Sequence, residues 1–395
     1  MSHNPIFQVM LFCVLSFIFG RSTCGDEPWT RHTIDNTLQG ADGVRLGDFN
    51  GDQLPDIVTG WEESGVVRLY LHPGYAKAKK TWPAVTLGKG ESPEDAVPMD
   101  VDGDGTLEVV SCHEGKLKRV FVHRFKAKNY HNKHLLKASN WESKPLEVLD
   151  GQQWMFAAPI QLNGGGSAIV FGSKNKGATI TLLKPDKPVQ VIEEWTAKKV
   201  RQAGWIMSIQ IIDMDADGDA DIVFSDRKGA QRGIGWLEQP NHRVAATRQK
   251  DNRLWKEHSI GGKDNEILFI EAAPSRVLAS TRNSVWIEYK KISANNWIST
   301  LEPNPRGVVN GKAIRSFKDG AIVLSANTHA VKSSSPLPGI WLKPAGQPWQ
   351  VIDRTTQAKF DRMELIDLDG DGDLDVLTCE ERRQMGVVWY ENPER

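Results

Sequence analysis

Cysteine is scarce, with four residues in 395, and only Cys112 and Cys379 lie outside the amino-terminal stretch. Two thiols cannot staple a chain of this length, so the fold rests on packing and not on a disulfide framework. Long apolar runs are equally rare. After residues 5–20, PIFQVMLFCVLSFIFG, nothing approaches the roughly 20 apolar residues that cross a bilayer, and no membrane span is expected beyond that point. No P-loop, dinucleotide fingerprint, zinc spacing or nucleophile motif is present. The formal net charge is only −1 and there is no basic tract, which argues against a nucleic-acid partner. Nothing reads as a long amphipathic helix.

The one apolar run has the length of a signal peptide but no Lys or Arg ahead of it. RSTCGDEP follows, with Thr23 and Gly25 small enough for cleavage before Asp26. Residues 1–25 are therefore expected to direct export, to the periplasm, the cell surface or the medium; an uncleaved anchor is the alternative. Residues 26–395 are expected to form a single domain.

A short unit that begins with Trp recurs seven times, at Trp29, Trp82, Trp141, Trp195, Trp255, Trp297 and Trp349. Between copies the order is constant: a short apolar strand, a turn, a β-branched strand, a polar loop, then an aromatic strand ending near Pro, as in DIVTG with VVRLYLHP and DVLTCE with VVWYENP. An interval of about 40–60 residues is that of four-stranded propeller blades. The last repeat lacks its Trp-initiated strand, whereas Trp29–Ile34 precedes any complete repeat. Pairing the two closes a seven-bladed, all-β ring and covers its open edges. Cys112 and Cys379 occupy equivalent places in repeats 2 and 7, which are not neighbours, so both are expected as buried free thiols.

Four turns between first and second strands are acidic and align without gaps: DFNGDQLPD, DVDGDGTLE, DMDADGDAD and DLDGDGDLD. Positions 1, 3, 5 and 9 always offer oxygen. They are Asp48, Asn50, Asp52 and Asp56; Asp100, Asp102, Asp104 and Glu108; Asp213, Asp215, Asp217 and Asp221; Asp367, Asp369, Asp371 and Asp375. Crowded carboxylates repel, and a hard cation with several oxygens at about 2.3–2.6 Å relieves them, so about four Ca²⁺ are expected in a mainly structural role. An EF-hand is excluded, because its position-12 Glu is replaced by Thr59, Ser111, Phe224 or Thr378 and the flanks are strands. The turns near Asn163, Glu271 and Asp319 have lost the pattern, and no ion is expected there.

These turns within a seven-fold repeat resemble the FG-GAP (VCBS) repeats, whose best known members form the propeller of integrin α subunits. The likeness runs from about Asp26 to the end, although the Phe-Gly-Gly-Ala-Pro signature itself is poorly kept. It implies calcium-binding turns on one face of the ring.

The variable loops then gather on the other face, where binding usually resides. Of fourteen Trp, seven begin outer strands and four fill third strands; Trp61, Trp154 and Trp205 remain, all at this second face, and suggest an aromatic surface for a sugar. Lys228 and Arg382 join them as ligand-binding candidates. Without its signal the chain carries −2, and four Ca²⁺ would bring it to about +6, which favours an anionic glycan. The reading is a monomeric, secreted binding module for a carbohydrate or protein. The alternative is an enzyme on the same face, since W-x-x-H-x-I and WYENP look like strands of exported polysaccharide lyases and aldos-2-ulose dehydratases. Elimination would use His113 or His329 as base and Arg227 or Arg282 as electrophilic partner.

Overall fold

The computed structural model describes residues 27–127, 130–163, 165–185, 191–240, 254–327 and 338–393. Residues 1–25, expected to direct export, and His329 lie outside them. Seven four-stranded antiparallel sheets form a ring, six with their strands in chain order from the centre outward and the seventh completed at its outer edge by the first strand of the chain. The innermost strands are Ala41–Gly47, Pro93–Met99, Gln153–Gln161, Ile206–Ile212, Ile267–Ala273, Gly311–Ser316 and Phe360–Ile366, which open blades 1 to 7.

Second strands such as DIVTGW, EVVSCH, DIVFSD and DVLTCE are buried at every residue. Each is covered by the neighbouring blades on both faces, so it reads as an apolar run and not as an alternating one. Small residues suit this position, and Cys112 and Cys379 are both buried free thiols within it. No helix among the described residues is long and apolar enough to cross a membrane.

Blade 7 takes its outer strand, Thr30–Asp35, from the other end of the chain; it pairs with Gly386–Glu391 in the register His32↔Trp389. The W-x-x-H motif explains part of this seam. His32 stacks on Trp389 at 4.4 Å and bonds Glu391 at 2.7 Å. Blade 4 repeats the device, with His258 stacked on Trp236 at 4.1 Å and 2.6 Å from Glu238. Trp29 N–H donates to Ile352 of blade 6, and Trp82 N–H of blade 1 donates to Ile34, so the closing strand is tied on both sides.

Deleting Trp29–Ile34 should leave the edge of Gly386–Glu391 unpaired and drive self-association. Size-exclusion chromatography is expected to show aggregate in place of the parent species; an unchanged elution and melting temperature would contradict this account of closure.

Candidate functional site

Each acidic turn is wound by its own backbone. The position-1 carboxylate accepts N–H groups from positions 4 and 6: Gly51 and Gln53 on Asp48, Gly103 and Gly105 on Asp100, Ala216 and Gly218 on Asp213, Gly370 and Gly372 on Asp367, at 2.7–3.1 Å. Positions 4 and 6 have φ between 65° and 98°, which accounts for the glycines there. The position-9 carboxylates of Asp56, Glu108, Asp221 and Asp375 each accept the position-2 N–H at 2.9 Å. Burial outweighs these bonds and pushes all four acids up to about 7.

Three of the four turns bring carboxylate oxygens within 4.8 Å of one another: Asp100, Asp102 and Glu108; Asp213, Asp215 and Asp221; Asp367, Asp369 and Asp371. An ion with bonds of about 2.3–2.6 Å spans such a gap. Asp369 Oδ1 and both oxygens of Asp373 are buried without a hydrogen-bond partner, so the blade 7 turn has lone pairs to offer a cation. The residues therefore fit a hard divalent ion. Blade 1 departs from this pattern: Asn50 there donates to Asp52 at 2.8 Å and to Asn132 of the blade 2 insertion at 2.9 Å.

The opposite face holds a central opening of about 220 Å³. Strand topology puts it there, since the cavity is lined by the starts of inner strands and by residues just past second strands. All seven inner strands shift register within their first residues, for example between Asp42 and Arg45, Pro93 and Asp95, and Gly311 and Ile314. Such bulges turn side chains toward the channel.

Trp205 is the aromatic residue of the opening. Lys174, Arg227 and Lys228 place their cationic centres 4.7, 4.6 and 4.5 Å from its ring centroid. Buried Asp226 fixes the segment, accepting Trp205 N–H at 2.8 Å and Gly204 N–H at 3.1 Å while paired with Arg201 at 2.7 Å. Gly204 is required, because a Cβ there would stand 1.9 Å from the Lys228 carbonyl. Glu266 pairs with Arg227 at 2.5 Å and Arg282 at 3.3 Å, and Glu114 pairs with Lys174. Four cations against two carboxylates leave this corner positive. Partial burial, followed by the charge of Arg227, lowers the Lys228 ammonium below its ordinary value.

Other sequence candidates stand elsewhere. Trp61 is fully buried and donates to Tyr70 Oη at 2.9 Å; Trp154 is buried and donates to the Leu149 carbonyl at 2.7 Å. Both are packing residues, so the expected aromatic surface reduces to Trp205, itself occupied by cations. Arg382 is exposed on a loop outside the opening.

His113 is buried and cannot act as a base on a ligand. Its Nδ1 faces the Glu91 carbonyl at 2.9 Å, which only accepts, so that nitrogen carries the proton. Its Nε2 then accepts from Ser111, Ser111 accepts from His123 Nε2 at 2.8 Å, and His123 Nδ1 lies 2.7 Å from Ser143 Oγ, which also reaches the Leu87 carbonyl at 3.3 Å. Burial lowers His113 to about 4 and His123 to about 3.

The sequence reading missed Glu94, Lys312 and Lys359, which line the opening from inner strands or just before one. Charged residues in PEDAV, GKAIR and KFDRME, inside strands otherwise apolar, are the signal that could have found them.

Residues 48–111 match the family model of the FG-GAP-like repeat. The chain is thus a seven-bladed propeller carrying an FG-GAP-like repeat. No curated protein matches the sequence. Among solved structures, BBS1N in complex with ARL6DN superposes with a TM-score of 0.52 at 11% identity, covering 93% of this chain and 98% of that one. YCF48 bound to D1 peptide gives 0.54 at 10% identity, covering 93% and 96%. At these identities the likeness is one of fold.

The buried histidines make an acid-sensitive contribution to stability, opposite in sign to that of the four raised carboxylates. The histidines' folded pKa values lie below the unfolded value of about 6.5, so at these two groups the unfolded state binds more protons and their contribution to stability falls as pH drops from about 6.5 toward 4. Each histidine contributes up to about 1.4 kcal/mol per pH unit. Denaturant titrations across that window should show the parent losing stability relative to His123→Gln as the pH falls; a difference that does not change with pH would refute the assignment.

Proposed function

We propose that the chain is an exported, calcium-stabilised propeller that binds an anionic glycan at the opening opposite its acidic turns. The observation that carries this is the positive corner at Trp205, where cations already hold the ring face and a sugar could not stack. An anionic group, uronate or sulfate, answers that surplus charge through charge-assisted hydrogen bonds. A cavity of about 220 Å³ falls below the ~300 Å³ typical of drug-sized ligands, which suits one sugar unit entering from a longer chain.

A protein partner is the second reading. BBS1N in complex with ARL6DN and YCF48 bound to D1 peptide are propellers of similar fold with protein or peptide partners, and an acidic side chain would meet the same corner. The lyase or dehydratase reading is weakened, since His113 is sealed within blade 2 and Arg227 and Arg282 share Glu266.

Calorimetric titration with uronate and sulfated oligosaccharides should give saturable, salt-sensitive binding that neutral analogues lack. Arg227→Ala with Lys228→Ala should weaken it about tenfold or more, in line with ~1.5–3 kcal/mol for a hydrogen bond to a charged group. Unchanged affinity in that variant would defeat the proposal, and new ultraviolet absorbance from an unsaturated product would favour the enzyme.

Calcium in the turns stabilises by binding only the folded state, so chelation should lower the melting temperature. At saturating Ca²⁺, Asp371→Ala is expected to lower it by several degrees and Asp319→Ala by far less, as read by scanning calorimetry. Equal effects would remove the distinction between intact and degenerate turns.

A further inference from the structure

We infer that a further hard divalent cation binds at the mouth of the central opening, between Asp42, Glu62 and Glu94, on the face opposite the acidic turns. The three carboxylates come from separate segments. Asp42 lies in the inner strand of blade 1, Glu62 just past the second strand of that blade, and Glu94 in the inner strand of blade 2. One oxygen from each lies within 4.8 Å of the other two, inside the span that an ion with oxygen bonds of about 2.3–2.6 Å can bridge.

Glu94 points to the ion independently of the clustering. It is only 9% exposed, it lines the cavity, and among the described residues its carboxylate meets neither a hydrogen-bond donor nor a cation. A carboxylate that lines a cavity without a donor or cation beside it keeps its lone pairs free for an ion. Lys312 is paired with Asp361 at 2.5 Å, Lys359 with Glu381 and Lys174 with Glu114; the charge of Lys359 also reaches Asp42 and Glu62, and none of the three forms an ion pair with Glu94. The turns satisfy their position-1 acids with backbone N–H groups, and no such donor reaches Glu62 or Glu94 among the described residues.

The donor set is all oxygen, with no imidazole or thiolate, which selects calcium or manganese over zinc or copper. Glu62 and Glu94 both line the cavity, so the ion's open coordination positions face it. On the ligand-binding reading proposed above, an oxygen of the ligand completes the shell, with the Trp205 corner holding its anionic group across the opening.

The test uses the chelator-stripped full chain, dialysed against Ca²⁺ or Mn²⁺ and counted by elemental analysis without any glycan. Glu62→Gln with Glu94→Gln should bind one ion fewer per chain than the parent. Asp102→Asn with Asp104→Asn should lose a different ion, and the two losses should add. Melting in chelator controls for folding, because isosteric amides remove the repulsion and the variant should melt no lower than the parent. Glu94→Lys, which supplies its own ammonium, should fold and show the same loss of one ion. An unchanged count in both opening variants overturns the site. Loss of the ion with glycan affinity intact keeps the site and refutes only its part in ligand binding, whereas glycan failure alone leaves the ion count untouched.

Discussion

Everything in this molecule depends on second strands being covered on both faces. A residue run such as DVLTCE, wholly buried, cannot exist in a blade standing alone, because one blade supplies cover on one side only. Each blade therefore needs two neighbours, and seven blades satisfy one another only when the ring is closed. The closing element is one strand of six residues, Thr30–Asp35, inserted as the outer edge of blade 7. Side chains reinforce it at matching places. Tyr70 donates to Asp35 at 2.9 Å across the junction with blade 1, and Tyr390 donates to Asp353 at 2.9 Å across the junction with blade 6. Burial raises both phenols well above their ordinary range, and the adjacent aspartates add to it, so the hydroxyls stay protonated donors.

Closure is also what creates a site. The loops of one face converge only because the inner strands are held side by side around a common axis. Their opening bulges then aim charged side chains inward. The channel has two characters. Its apolar lining, Met155, Met207 and Leu268, comes from blades 3 to 5 alongside Lys174, Arg227 and Arg282, whereas blades 1, 2, 6 and 7 contribute charged groups such as Glu62, Glu94, Lys359 and Lys312, the last paired with Asp361 at 2.5 Å. Packed apolar residues hold the walls rigid, and the paired charges define what can enter.

The sequence made the ring legible because its periodic features are local. A Trp at the start of each outer strand and a Gly at most of the turns where φ is positive can be read without knowing any neighbour. Burial of Trp61 and Trp154 could not be read in this way. A tryptophan at a strand end looks the same in sequence whether it faces solvent or the next blade, and here Tyr70 and Leu149 accept its N–H in the interior. The channel charges were hidden for a related reason. Strand parity predicts which side chains face inward only while register is kept, and each inner strand breaks register within its first few residues. His113 looked like a loop base because it follows the second strand's apolar core. Its partners, Ser111, His123 and Glu91, come from the same strand, from the next strand and from the loop before blade 2, and no spacing rule announces them.

The seam has a directional consequence. Thr30 opens its strand opposite Glu391, where the partner strand ends, and both lie at the rim that bears the acidic turns. Lys79 marks the place, touching Glu391 at 2.7 Å and Asp369 at 2.9 Å. Whatever is joined to either end of the ring is thus delivered to the rear of the disc. A tether to a membrane or cell wall, at whichever terminus, would hold the propeller like a dish on a stalk, with the Trp205 opening turned away from the support and toward the medium.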